Sequence, residues 1–318
     1  MSKGKLTPNT MMSASRLPGL LGHSKHWTPN EELLLSIGAL KGEENPYEVN
    51  EAADWGNTLE PKILERSAER LGLDTYNLEH TEALFAKNLP LCCSLDGTAD
   101  GKGKTIRTDP DAGIFVVGQD EIVLEGEGVL EAKLTSYDAE DTLPLWRGPI
   151  QVQGQMMCTG AKWGAVCVLY RGTKLRIFVF APHKGTQDAI RAAVLDFNRR
   201  LDVFKISGEI EYYPPATSND ANVIWPSGDD ETVVLEPDAE QIAAEIADAR
   251  KKISELQEFI EIKETQIKSM MTTHTKAVAG KYRITWPMRS YKAQPERIVP
   301  AKDAYVVRQS SITVREMQ

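Results

Sequence analysis

The chain has 318 residues, 41% of them hydrophobic and 26% charged, with 23 Gly, 17 Pro and 4 Cys. That composition belongs to a folded globular protein of one large or two smaller domains and excludes disordered, collagen-like and disulfide-scaffold chains. The formal charge of −9 argues at first against a polyanionic partner, but between Arg147 and Ile206 ten Lys or Arg face only Asp188, Asp196 and Asp202, a local +7 that leaves −16 for the remainder. Charges more than a Debye length apart, about 10 Å, are screened, so a basic surface is compatible with an acidic protein. No apolar run approaches the roughly 18 residues of a membrane span. The N-terminus is interrupted by Pro8 and Pro18 and has no signal-peptide core, so the expected setting is cytoplasmic, with no membrane partner. Cys92, Cys93, Cys158 and Cys167 lack CxxC spacing and read as buried thiols.

In chain order, Thr28-Pro29 with Glu31 three residues after the threonine predicts a helix that starts on a capping box. A second helix is expected from Asn50 to Leu71, closed by Gly72, with Pro61 marking a kink or a junction of two helices. Strand-length apolar runs follow: Leu89–Leu95, Gly113–Val117, Ile122–Leu124, Val129–Leu134, Gly164–Tyr170 and Leu175–Phe180. Helices are expected at Pro149–Thr159 and Thr186–Phe204, giving an α/β fold with a mixed central β-sheet flanked by helices over residues 1–235. From Glu236 to Met271 apolar residues recur at alternating steps of four and three, a heptad seam on one long helix that must pair with a helix of the same chain or of another subunit. We assign residues 236–275 to this coiled-coil-like helix and 276–318 to a C-terminal β tail, with strand-like runs at Tyr282–Trp286 and Tyr305–Val307, that folds back on the core.

The chemistry-bearing residues lie in two short segments, Ser94-Leu95-Asp96-Gly97 and Val129-Leu130-Glu131-Ala132-Lys133. Strand alternation puts Glu131 and Lys133 on one face, about 6.8 Å apart, with Ala132 directed to the other layer. Asp96 ends an apolar run before a glycine turn, where it can come alongside Glu131. Two carboxylates and nearby carbonyls make an oxygen-rich pocket suited to Mg²⁺ or Mn²⁺, and a lysine there can orient a water or hold a phosphate oxygen. Either segment alone is commonplace, as an exposed ion pair or a tight turn. Gly101 to Thr105 is no P-loop, because Thr98 stands where its first glycine is required.

An Asp followed on a later strand by Glu-x-Lys and then a polar helix is the layout of the PD-(D/E)xK nuclease core. Ser13-Ala-Ser-Arg-Leu-Pro-Gly-Leu-Leu-Gly, Trp55-Gly-Asn-Thr-Leu-Glu60, Ser94-Leu-Asp-Gly, Glu131-Ala-Lys and Gln151-Val-Gln-Gly-Gln-Met, in that order, resemble the YqaJ-type viral recombinase (lambda exonuclease) family. The resemblance implies a metal-dependent exonuclease that resects linear double-stranded DNA 5′ to 3′ for a single-strand-annealing partner protein, in the cytoplasm of a bacterial host and encoded by a phage or prophage. It implies one or two Mg²⁺ (or Mn²⁺) ions per site, held by Asp96, Glu131, Glu60 and the Ala132 carbonyl, with Lys133 positioning the attacking water and Gln153 as the active-site glutamine. It also implies a homo-oligomer, a trimeric ring, with the basic segment lining the DNA path. Ser15 resembles a serine that takes the DNA 5′ phosphate; Pro8 stands where the family has an arginine, so Arg16 or Lys25 would have to substitute. In a helix Gln151 and Gln155 share a face while Gln153 points away, so only some of these DNA-contact candidates can reach the site. The long interval from Asp96 to Glu131 reads as a hairpin insertion. Alternatives are a structure-specific endonuclease of the same superfamily and a non-catalytic DNA-binding or assembly module.

Overall fold

The computed structural model describes residues 7–43, 51–228 and 231–290, and the chain divides into two units, Met1–Ile224 and Trp225–Gln318. The first unit contains, in order, β1 (Met12–Ser13), a 3₁₀ turn (Ala14–Arg16), α1 (Leu17–Leu20), α2 (Pro29–Leu40), α3 (Glu51–Leu71), β2 (Tyr76–Asn77), β3 (Leu84–Phe85), β4 (Leu91–Cys93), β5 (Gly97–Asp100), β6 (Lys104–Arg107), β7 (Ile114–Val116), β8 (Glu121–Leu124), β9 (Glu127–Thr135), α4 (Pro149–Thr159), β10 (Gly164–Tyr170), β11 (Lys174–Phe180), α5 (Lys184–Ser207) and α6 (Ser218–Ile224). The second contains α7 (Asp238–Met271) and an antiparallel hairpin of β12 (Lys276–Ala279) and β13 (Tyr282–Thr285). The strand-like run Tyr305–Val307 lies outside the described residues. Among them no helix is long and apolar enough to cross a membrane.

Local sequence signals fix these elements. The Thr28 hydroxyl accepts from Glu31 N at 3.2 Å and the Glu31 carboxylate accepts from Thr28 N at 2.8 Å, so the capping box that starts α2 is present. α3 runs through Pro61 as a single helix. Its first half is largely exposed and its buried face begins at Ile63, so water can take over the backbone bond that the proline removes. Cys92, Cys93 and Cys167 are buried and none of the four cysteines is in a disulfide; burial pushes the Cys167 thiol up to about 12, away from nucleophilic use.

A six-stranded mixed sheet, β2-β5-β9-β10-β11-β7, is the centre of the unit. β9 and β10 pair in parallel and are joined by α4, whereas β5 pairs antiparallel to β9 on its other side. One apolar layer combines Val129, Val166, Val168 and Phe178 with Ile150 and Val152 of α4 and Val194 and Phe197 of α5. The opposite layer combines Leu130, Ala165, Cys167 and Ile177 with Ile63, Leu64 and Ala68 of α3. Alternation along β9 therefore directs Glu131 and Lys133 to the α4 side. The β6–β8 pair is the expected hairpin insertion, and β7, between them in sequence, leaves to pair with β11.

The interior of α4 meets the N-terminal segment closely. A Cβ on Gly154 would lie 2.5 Å from Leu17 Cδ1 and 3.2 Å from Ala14 Cβ. The glycine thus admits the Ala14–Leu17 turn, which carries Ser15, against α4. Gly154→Val is expected to lower stability by about 1–3 kcal/mol through overpacking, measured as a reduced urea midpoint with unchanged m.

Candidate active site

The strand register builds the site. Gly97 pairs with Leu130, and one step back along β5 the same register sets Asp96 across from Glu131. Asp96 does not continue the ladder; its Oδ2 accepts from Ala132 N at 2.9 Å, which fixes the carboxylate beside β9. Glu131 is 2% exposed, and both its oxygens are engaged. Oε1 accepts from Lys133 Nζ at 2.6 Å and Oε2 from Gln155 Nε2 at 2.6 Å. Lys133 Nζ also donates to Gln151 Oε1 at 3.0 Å, and Gln155 Nε2 to the Ser94 carbonyl at 3.3 Å.

Of the three candidate glutamines, Gln151 and Gln155 meet the carboxylate–lysine pair, as their i, i+4 spacing requires. Gln153 is not brought to it. Its Nε2 donates to the Ala181 carbonyl at 2.8 Å, and its Oε1 accepts from His183 N at 2.9 Å and Gln187 Nε2 at 3.2 Å. It ties α4 to the start of α5, because position 153 lies on the opposite flank of the helix. Glu60, partly buried on α3, is near enough for its charge to act on both Asp96 and Lys133.

The electrostatics follow from this crowding. Burial raises the Asp96 carboxyl well above the usual carboxylate range, and repulsion from Glu131 and Glu60 adds to it. Burial alone would lower Lys133, but Glu131 and Asp96 overcome it and hold the ammonium above its ordinary range. Among the described residues no three acidic, His or Cys side chains converge as a ready metal cage. The donor set nevertheless suits a hard divalent cation: mutually repelling carboxylates, the Ala132 carbonyl in β9, and the buried Gln155 Oε1, which has no hydrogen-bond partner. Mg²⁺ retains several waters and so needs few protein oxygens.

The N-terminal candidates separate. Ser15 is exposed, with its Oγ 3.2 Å from Ser13 Oγ. Arg16, expected at a phosphate, is buried instead: Nε bonds Glu32 Oε2 at 2.5 Å, Nη2 the Glu32 carbonyl at 2.6 Å and Ser36 Oγ at 3.0 Å, and Nη1 the carbonyls of Asn9 and Met11. A guanidinium so placed anchors α2 to the N-terminal segment. Lys25 lies over the Trp146 ring at 5.2 Å.

The basic segment is also not a continuous cationic face. Arg147, Arg171 and Arg176 pair with Glu140, Asp138 and Asp141, while Lys184, Arg199, Arg200 and Lys205 pair with Asp188, Asp196, Glu211 and Asp202. Lys162, Lys174 and Arg191 stand outside the ion pairs formed among the described residues. Sequence reasoning counted Arg147 only as a charge. The fold buries it near the rings of Tyr137, Trp146 and Tyr170, 4.9, 4.7 and 5.7 Å from their centroids, an arrangement that no local pattern announces.

These observations define a mixed α/β domain with a buried carboxylate–lysine centre on adjoining strands. Residues 8–162 match the family model of the YqaJ-like viral recombinase domain. Among solved structures, the chain is similar to an alkaline exonuclease from Laribacter hongkongensis at 17% identity and TM-score 0.41, with 62% of this chain and 90% of that chain covered. A complex described as LHK-Exo with dAMP gives the same identity and coverage at TM-score 0.42. A phage-related exonuclease from Haemophilus somnus 129PT is 13% identical, with 63% and 96% covered and TM-score 0.39. No curated protein matches the chain.

Two outcomes are expected. Arg16→Met should destabilise by about 3–5 kcal/mol, because it removes the guanidinium that bonds the buried Glu32 carboxylate, whereas Ser15→Ala should leave the thermal midpoint unchanged. Ionised Asp96 lowers stability once the pH rises through the ordinary carboxylate range, since the folded chain binds that proton more tightly than the unfolded one. Asp96→Asn should therefore raise Tm at pH 7 in chelator and leave it unchanged below pH 3.

Proposed function

We propose that the chain is a Mg²⁺- or Mn²⁺-dependent deoxyribonuclease that digests linear duplex DNA from its ends, 5′ to 3′, to supply single strands to an annealing protein. The observation that carries this reading is the facing of Asp96 and Glu131 across β5 and β9 with Lys133 one strand repeat away, inside a YqaJ-like domain. Asp96, Glu131, Glu60 and the Ala132 carbonyl would hold the ion. When bound, it would polarise a water and offset charge on the scissile phosphate.

The chain's own groups account for the rest. Gln155 and Lys133 bond Glu131 from its two sides and keep its carboxylate in one orientation. Gln151 holds Lys133 from the helix side, so the ammonium is fixed at the site by two partners. There it can orient the attacking water and stabilise negative charge that builds on the phosphate oxygens, and fixed donors of this kind act without reorganisation. Ser15, exposed beside α4, is available for the terminal phosphate.

The test is release of acid-soluble nucleotides from linear duplex DNA with 5′-phosphate ends, in Mg²⁺ and in chelator, beside covalently closed circles. Mg²⁺-dependent release from the linear form alone is expected, with Lys133→Ala and Asp96→Asn reduced on the order of 10²-fold or more. Equal attack on circles would instead identify an endonuclease, and no release would identify a binding or assembly module. Mg²⁺ should also raise Tm of the wild type, as a ligand of the folded state alone does, and leave Asp96→Asn unmoved.

A further inference from the structure

α7 is 34 residues long, yet Met271 at its last position is its only buried residue. A helix of that length extends about 51 Å, and one apolar stripe runs along it. With Ile246 at heptad position a, the a positions are Ile246, Ile253, Ile260 and Ile267, and the d positions are Ile242, Ala249, Leu256, Lys263 and Met270. Ile242, Ile253, Leu256 and Ile260 are each more than half exposed. An isolated amphipathic helix gains its stability from the packing of its apolar face, so this stripe requires a mate.

We infer that the mate is α7 of a second copy of this chain, in a parallel, in-register, two-stranded coiled coil. Three features of the sequence and structure select that occupant. First, an unbroken series of β-branched Ile at a, with Leu at the central d, is the pattern that favours two parallel strands; trimers and tetramers are favoured by Ile at both positions or by Leu at a and Ile at d. Second, the flanking positions suit a symmetric parallel pair. In that arrangement each g residue faces the e residue five positions on in the other strand. Glu245 then faces Arg250, twice by symmetry, while Lys252 faces Gln257, Phe259 faces Glu264 and Gln266 faces Met271. No like charges meet. Third, the single polar seam position is already turned aside. Lys263 Nζ lies 5.4 Å from the Phe259 ring centroid and donates to Gln266 Oε1 at 3.3 Å. Both are g residues, so the ammonium is drawn to the rim and only its stem remains in the seam. Beside the C-terminal third of α7, a groove of about 540 Å³ between Ile260, Ile267, Ile284 and Trp286 leaves room for an apolar side chain of the opposing helix.

This inference goes beyond the nuclease reading and does not depend on it. The full-length chain is tested by sedimentation equilibrium and by cross-linking with a short bis-maleimide. Ile253→Asp/Ile260→Asp is expected to halve the wild-type mass. Lys263→Leu is expected to lower the dissociation constant at least tenfold, which keeps the test decisive if the double variant folds poorly. Met270→Cys and, in a separate chain, Ile242→Cys should each cross-link to the same residue of the mate, and Lys251→Cys, on the outer face, should give no more product than wild type. Residues 242 and 270 are about 42 Å apart along the helix. Cross-linking that required both cysteines in a mixed pair would show an antiparallel coil and overturn the proposal. A wild-type mass equal to that of the Asp variant, a threefold difference, or no cross-link at either position would also overturn it.

Discussion

The candidate site rests on one buried charge. Glu131 lies inside the sheet at 2% exposure, where an isolated carboxylate is far too costly to stand uncompensated. It is tolerated because Lys133 supplies the opposite charge and Gln155 a second donor. Removing either donor would leave a buried anion partly satisfied, the least favourable state of such a network. The surrounding apolar layers therefore close around a charged group that is bonded at both its oxygens.

That requirement explains α4. The helix carries Gln151 and Gln155 on the flank toward β9 and Gln153 on the other, so three amides in five residues serve two separate tasks. Gly148, at φ +115, turns the chain into the helix where Val166 would meet any Cβ, and Gly154 lets the Ala14–Leu17 turn close over it. The helix is consequently clamped between the sheet and the N-terminal segment, and its glutamines have little freedom to leave their partners.

Much of this was legible in the sequence because it depends on period. Alternation on β9 put Glu131 and Lys133 together, helical spacing separated Gln153 from its neighbours, and the capping box located α2. What was not legible depends on contacts distant in sequence. Arg16 looked like a surface cation beside Ser15, but Glu32 and Ser36 on α2 enclose it. The +7 of the basic segment falls to +3 because Asp138, Glu140, Asp141 and Glu211, just outside it, come back to pair with its arginines. A charge count along a chain carries no information about which charges a fold will bring together. Short strands such as β1 and β6 have too few residues for a period to register.

The Arg16 cluster has a thermodynamic consequence for the terminal phosphate that the proposed function would bring to Ser15. One guanidinium binds the carbonyls of Asn9, Met11 and Glu32, so the segment that presents the serine is ordered before any ligand arrives. Loops that order only on binding forfeit part of their interaction free energy to lost chain entropy. Here that entropy is surrendered during folding, and even a single small anionic group can be met by a hydroxyl already held in place.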